Sequence, residues 1–503
     1  MRLVLLQCEL SHRHQAPHLA GALFATDLRS AGHDVRCALV HPTALREAAV
    51  RYGDADLLIL DSIFPFALVR ALRTDTARPV LVGGHNALQH VLRGPADFAL
   101  VGPARRTLPA AVQAIADGAP KTAAGLWFRD AVGSLRCGPP GPDPRPGEEV
   151  LPFRPDLQWD YLGPPRADGS NLRIPSVVAE FGCVWNRTAL GSNSFYSGTA
   201  PRLPDTPMTD EARARLQAEF VTQEGGCTFC TFRYQPRRGH KADHTVALVL
   251  TQIQALIALG ARGISLQTEN PLPLLPALLA TLGASGLAPQ IDELHIRTIP
   301  WLIPRHRDNL LSAIDTAAGL GIKLVLGQVG FEAFDEPALA VYNKGISAAD
   351  NEAAASLLSE LHATHAPGFE GIHGHGLIPL HPWSTPANLR TTIAACRRSA
   401  PWLLPSVQPF ARVELYNEWN PLFWKLQDEG LLVPDADGFG WGWRYADSQM
   451  EELTAASASI MHAAPHTPAH EVMDEVAGLL MRLPDPAERR RAYLALRAHL
   501  QER

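Results

Sequence analysis

A chain of 503 residues is longer than one hydrophobic core usually serves, so two or three domains are expected. Apolar residues make up 46% and charged residues 19%, which excludes a disordered chain, and a net charge of −6 gives no electrostatic footprint for nucleic acid or an anionic membrane. No apolar run reaches bilayer-spanning length, and the seven cysteines are odd in number and scattered, so a reducing, cytoplasmic setting is expected.

The first apolar run, residues 2–8, is too brief for a signal peptide and reads as a buried strand. A helix-like stretch at 17–31 follows, then apolar runs at 34–40, 56–62, 78–84 and 96–102, with helical stretches near 65–73 and 106–117. Strands that are apolar at nearly every position, spaced by helices, predict a parallel sheet covered on both faces. Residues 1–136 therefore read as a doubly wound, Rossmann-like α/β domain, with its ligand crevice at the carboxyl ends of the strands. Residues 137–172 are crowded with proline and glycine and read as a linker.

The alternation then resumes with a larger repeat. Candidate strands lie at 175–182, 263–269, 293–299, 323–333, 371–380 and 408–415, with helices at 243–259, 271–283, 305–319, 348–365 and 386–398. Six β-then-α units predict a partial (βα)6 TIM-like barrel over 173–415, with function on the loops after its strands. An insertion at 184–226 interrupts it and carries a short helix at 208–220, with Thr209 as N-cap. The tail, 416–503, is rich in tryptophan and then helical, and reads as a cap in which Trp419, Trp424, Trp441 and Trp443 pack together.

Cys227-Thr228-Phe229-Cys230 and, after the first barrel strand, Cys183 all fall on one strand-to-helix connection. Three readings stay open for these thiols: a redox pair, a zinc site completed by a histidine such as His240, or an iron–sulfur site. Three thiolates are one fewer than a cubane cluster takes in simple electron carriers, which leaves one iron open to a small molecule. Cys8, Cys37, Cys137 and Cys396 read as inert, three of them in apolar, core-like runs.

The chain resembles the radical S-adenosylmethionine enzymes, in which a CxxxCxxC loop after the first barrel strand holds a [4Fe-4S] cluster. The resemblance implies Cys183, Cys227 and Cys230 as cluster ligands, with Phe229 near the adenine of S-adenosylmethionine. "SLQTENP" (265–271) is similar to the family's Gly-Gly-Glu-type motif and puts Glu269 at the cosubstrate's amino group. "VGFEAFDEPALAVYNKGISAADN" (329–351) resembles the segment with a glutamate near the ribose, here Glu332, followed by Asn343-Lys344-Gly345. "GHGLIPLHPWSTPANLRTTI" (374–393) is similar to the family's fifth-strand segment, and Arg297 is a candidate for the cosubstrate's carboxylate. A buried salt bridge to Arg297 is the structural alternative for both glutamates. The departure is the spacing: forty-three residues, not three, separate Cys183 from Cys227.

"PVLVGGHNALQHVLRGPADFALVG" (79–102) resembles the cobalamin-binding domain fused to many such enzymes, and Ser62, Gly83, Gly84 and His85 lie where that cofactor would pass. Val101–Arg105 differs from the family's later Gly-Glu-type signature, and no Asp-x-His-x-x-Gly motif is present to ligate cobalt from below. The resemblance implies reductive cleavage of S-adenosylmethionine, an electron donor such as a flavodoxin or ferredoxin, and methylation of an unactivated carbon or phosphorus of a small molecule. A radical cyclisation or rearrangement, and a non-catalytic zinc- or cobalamin-binding protein, are the alternatives. His373, His375 and His381 are candidates for proton transfer, and Tyr196 for a substrate contact.

Overall fold

The computed structural model describes residues 1–8, 19–61, 66–84, 86–102, 104–141, 159–162, 175–179, 185, 187–221, 225–230, 242–268, 270–415, 418–434 and 440–502. Within these the chain forms two mainly parallel sheets, each flanked by helices, and a helical tail.

The first sheet is built from β1 (Arg2–Cys8), β2 (Asp34–Val40), β3 (Leu57–Asp61), β4 (Val80–Gly83), β5 (Phe98–Leu100), β6 (Leu126–Arg129), β7 (Leu135–Cys137) and β8 (Asp160–Leu162). Their order is β7-β6-β5-β4-β3-β1-β2-β8, parallel except for β6 and β7. The order reverses between β1 and β3, so the carboxyl ends of those strands form the switch point at which this topology is expected to take a ligand. β8 corrects the sequence reading of 137–172 as a linker. Its residues pair with Ala38–Val40, and Asp160 accepts from the Tyr52 hydroxyl at 2.9 Å.

The second sheet contains β9 (Ser176–Val178), β10 (Gly263–Gln267), β11 (Glu293–Thr298), β12 (Lys323–Glu332), β13 (Phe369–Glu370) and β14 (Gly376–Leu377). Its order is β13-β12-β11-β10-β9, with β14 also on β12. The strand expected at 371–380 is reduced to β14, on the far end of β12, while β13 pairs with the start of β12 just before it. The sixth expected strand, 408–415, is reduced to one parallel bridge, Leu380 to Arg412. Pro409 has no N–H to give a ladder, and Arg412 is drawn onto the Trp443 ring at 3.8 Å.

Alternation along β1 shows how the sheets join. Leu3 and Leu5 point into a core that serves the first sheet alone, together with Val35, Leu57 and Leu81. Val4 and Leu6 point into a second core that is continuous with Val177, Leu294 and Leu326 of the other sheet. The tail contributes β15 (Leu432–Pro434), β16 (Trp441–Trp443) and the helices Ser448–Ala463, Ala469–Arg482 and Pro486–Gln501. Trp419, Trp424 and Trp443 are buried in that shared core. Among the described residues no helix is long and apolar enough to cross a membrane.

Candidate active site

The helix Glu336–Val341 starts just beyond β12, with Asp335 as its N-cap, accepting the Ala338 N–H at 3.1 Å. A helix leaves its last carbonyls without partners inside itself. Here those carbonyls are taken, one after another, by the cysteine-bearing connection. Ala340 O accepts from Asn193 Nδ2 at 2.6 Å, and Val341 O from the hydroxyls of Thr228, at 2.8 Å, and Tyr196. Tyr342 O accepts from the Thr228 N–H at 3.0 Å, and Asn343 O from Trp185 Nε1 at 2.7 Å.

The same turn closes the insertion at its base. Thr188 and Gly225 form an antiparallel bridge, and the Gly226 N–H donates to Arg187 O at 3.3 Å. Asn343 Nδ2 donates across the seam to Arg187 O at 2.9 Å and Gly226 O at 2.8 Å. Asn343 does this from φ 48°, a left-handed conformation that asparagine tolerates. Gly345, at φ 67°, has no room for a side chain, since a Cβ would stand 1.9 Å from the Trp185 ring.

Beyond the seam, the Cys230 N–H bonds to Cys227 O at 3.1 Å, so the four residues from Cys227 to Cys230 make a tight turn. Phe229 rests edge-on against Tyr342, with ring centres 5.3 Å apart. Behind it Lys344 Nζ lies 2.7 Å from Glu332 Oε1 and 5.7 Å from the centre of the Phe229 ring. Only 7% of the lysine side chain and 11% of the glutamate side chain are exposed. Burial alone would pull the Lys344 ammonium down, but the charges of Glu332, Cys227 and Cys230 outweigh it and hold the group well above the ordinary lysine value. Gly330 makes the pair possible, because a Cβ there would come within 2.6 Å of Glu332 Oε1 and 2.8 Å of Lys344 Nζ.

The site residues expected from sequence fall into three groups. Cys227, Phe229, Cys230 and Glu332 are brought together around Lys344. Arg297 sits on β11 level with Gln328, and Glu332 takes Lys344 rather than Arg297 as its ion-pair partner. Gly83 ends β4 in the other domain, with Gly84 beyond it at φ 114°. Cys183, Glu269, Ser62 and His85 lie outside the described residues. Among the described residues no group of three or more His, Cys, Asp or Glu is placed to hold a metal.

Two secondary candidates are corrected. Tyr196 is fully buried, and its hydroxyl is spent on Val341 O and Thr228 Oγ1, so it braces the cysteine turn rather than meeting a substrate. The three histidines do not form one relay. His373 is exposed beside Glu370 at 2.7 Å, while His375 is locked between the Val329 N–H and Gly371 O. Burial holds His375 down at about 4 and His381 at about 3, so both rings are neutral at ordinary pH. Burial also pushes the Cys37 thiol up to about 11 and Cys396 to about 12, as expected of inert core thiols. Sequence reasoning missed Trp185, Asn193 and the pairing role of Lys344. The Asn-Lys-Gly run was the available signal, since asparagine and glycine are the residues that most readily take the left-handed conformation found at Asn343 and Gly345.

No family model matches the chain, and no curated protein is similar to it in sequence. Solved structures are informative. The apo form of OxsB, a cobalamin-dependent S-adenosylmethionine radical enzyme, superposes over 100% of this chain and 71% of its own length, with a TM-score of 0.52 at 13% identity. The chain shares the fold of OxsB. A carbohydrate transporter from Acidothermus cellulolyticus in complex with myo-inositol reaches a TM-score of only 0.17 at 9% identity, over 73% of this chain and 91% of its own, and carries no weight.

Proposed function

We propose that this protein is a radical S-adenosylmethionine enzyme in which Cys183, Cys227 and Cys230 hold a [4Fe-4S] cluster. Cobalamin lies on the first domain, and the reaction is methylation of an unactivated carbon or phosphorus of a small molecule. The observation that carries this reading is the closed base of the insertion. Forty-three residues separate Cys183 from Cys227, yet Arg187 and Gly226 are hydrogen-bonded neighbours. Cys183 lies two residues before Trp185, which limits the distance between their Cα atoms to about 7 Å. The insertion thus costs the three-thiol set little in reach.

The residues present fit the groups this reading requires. Two cysteines on one tight turn beside a buried ammonium suit an anionic cluster. In the first domain, a Cβ added at Gly83 or Gly102, at the carboxyl ends of β4 and β5, would meet no atom of the described residues within 4 Å. That edge lies beside the switch point of the sheet, where a cofactor is expected in this topology. When bound, the cluster supplies the electron that splits S-adenosylmethionine, and cobalamin supplies a methyl carrier.

What this chain's residues do is orient and exclude. Phe229 offers a ring to an adenine, and Glu332 is fixed by Lys344 at Oε1 while Oε2 lies outside that pair. Arg297 and Glu269 are assigned to the carboxylate and amino group of the cosubstrate, and a flavodoxin or ferredoxin to electron delivery. Anaerobic reconstitution with iron and sulfide tests the reading. A brown protein whose visible charge-transfer absorbance is lost in Cys183→Ala, Cys227→Ala and Cys230→Ala is expected. A colourless protein holding zinc, or a Cys183→Ala variant with its full cluster, would sink it.

A further inference from the structure

The second sheet has one face in the core and one turned away from it. Leu266, Ile296 and Leu326 pack into the core with Ile253, Leu279 and Ile314 of the flanking helices. Side chains alternate along a strand, so Ser265, Gln267 and Arg297 stand on the opposite face. The register agrees, with Ser265 level with Ser176 and His295, and Arg297 level with Gln328. A barrel interior is ordinarily filled by bulky branched apolar side chains. This one carries amides and hydroxyls, and it is open. Gln328 is exposed although it lies in the middle of β12, which has strands on both sides. Gly330, two residues on, faces Glu332 Oε1 and Lys344 Nζ, so the open face runs up to that pair.

Hydrogen bonds fix what the face presents. Gln267 Nε2 donates to Ser176 Oγ at 3.1 Å and to Ser265 Oγ at 3.0 Å. Both amide hydrogens are used, while Oε1 accepts nothing from the described residues and is not sealed from solvent. The charged groups on this face are committed elsewhere. Glu332 holds Lys344 at 2.7 Å, Glu293 lies 3.1 Å from His295 with Lys323 beside it at the amino end, and Arg297 is assigned to the cosubstrate carboxylate. A substrate therefore meets a fixed neutral acceptor at Gln267 and a neutral amide at Gln328 that both donates and accepts.

We infer that this face is the floor of the substrate site, and that the substrate is an uncharged, hydroxyl-bearing small molecule of sugar or polyol type, read by Gln267 and Gln328. This rests on the radical-enzyme reading. An apolar substrate would strip water from the Gln267 oxygen without replacing its hydrogen bond, and an anion would be repelled by it. A hydroxyl group donates to that oxygen and accepts from Gln328.

The test uses full-length protein reconstituted anaerobically with iron and sulfide. Saturation-transfer NMR then measures binding of three probes: methyl β-D-glucopyranoside, glucuronate and indole. Wild-type protein is expected to bind the glucoside in preference to the other two. Gln267→Leu and Gln328→Leu are each expected to weaken it about three- to tenfold, the effect of one lost hydrogen bond. Gln328 is exposed, so Gln328→Leu decides alone if Gln267→Leu fails to fold. A brown protein that binds no glucoside, or prefers glucuronate or indole, overturns the inference and leaves the proposed function standing. Equal affinity in wild type and the folded variants overturns it in the same way. A protein that takes up no cluster overturns the proposed function, and the substrate assignment with it.

Discussion

Lys344 and Glu332 illustrate what one residue decides at this site. Replacing Lys344 with methionine leaves the Glu332 carboxylate buried without its cation, which costs about 3–5 kcal/mol. Adding Glu332→Gln should restore much of that, because the stranded charge is gone. Urea denaturation of the two variants measures both effects, and a loss below about 1 kcal/mol in the single variant would contradict the pairing. The histidines give the pH dependence. His375 and His381 titrate at about 4 and about 3 in the folded chain, below the ordinary 6.5, so the unfolded chain takes up their protons first. Stability from these two groups is complete above pH 6.5 and falls as pH drops towards 4. Asp335 acts in the opposite sense, since burial raises it to about 6 and acid then favours its folded form. His381→Gln should flatten the stability profile between pH 6.5 and 4, and a profile parallel to wild type refutes the assignment. The oddity of Asn343-Lys344-Gly345 was legible in sequence, but its partners were not. Which carboxylate Lys344 meets depends on how β12 ends, and that is set by Glu332 at φ 61°.

Among the elements, the insertion is the informative one. Its near end, Asn193 and Tyr196, is tied to the carbonyls after the helix Glu336–Val341. Its far end extends the first sheet, where the Leu135 N–H bonds to Pro207 O at 2.8 Å and the Thr209 N–H to Leu135 O at 3.1 Å. The helix Asp210–Leu216 starts at Thr209, as its capping chemistry implied, and Arg215 from that helix lies over Trp127. The segment therefore ties the cysteine turn to the edge of the other sheet. Tyr196→Phe removes one donor and leaves Thr228 alone on Val341 O. The expected loss is about 1 kcal/mol, with faster hydrogen exchange at the Thr228 amide. Unchanged exchange at that amide would mean the insertion does not brace the turn. The parallel strands of the first sheet were legible because nearly every position in them is buried. β8 was not, because three pairing residues inside a proline-rich stretch leave no periodic trace.

At the scale of the whole molecule, the two sheets share one core, and that could not be read from sequence. A strand buried on both faces shows no preference for which face meets which neighbour. The structure places a charge pair across the join. Arg93 and Glu418 are 7% and 14% exposed, 3.0 Å apart, and Glu418 Oε1 also accepts from Trp441 Nε1 at 3.0 Å. One carboxylate thus holds the first domain and the tryptophan hairpin of the tail at the same time. Removing the guanidinium strands the Glu418 carboxylate, so Arg93→Ala should cost about 3–5 kcal/mol, Glu418→Ala loses the same pair, and the double variant should cost much less than the sum of the two. Because the core is shared, the loss should move the whole unfolding transition rather than release one domain. Calorimetry then shows a single peak that shifts down intact in each variant. Two peaks in Glu418→Ala, one of them at the wild-type temperature, would mean that the sheets unfold independently and that the pair only decorates their contact.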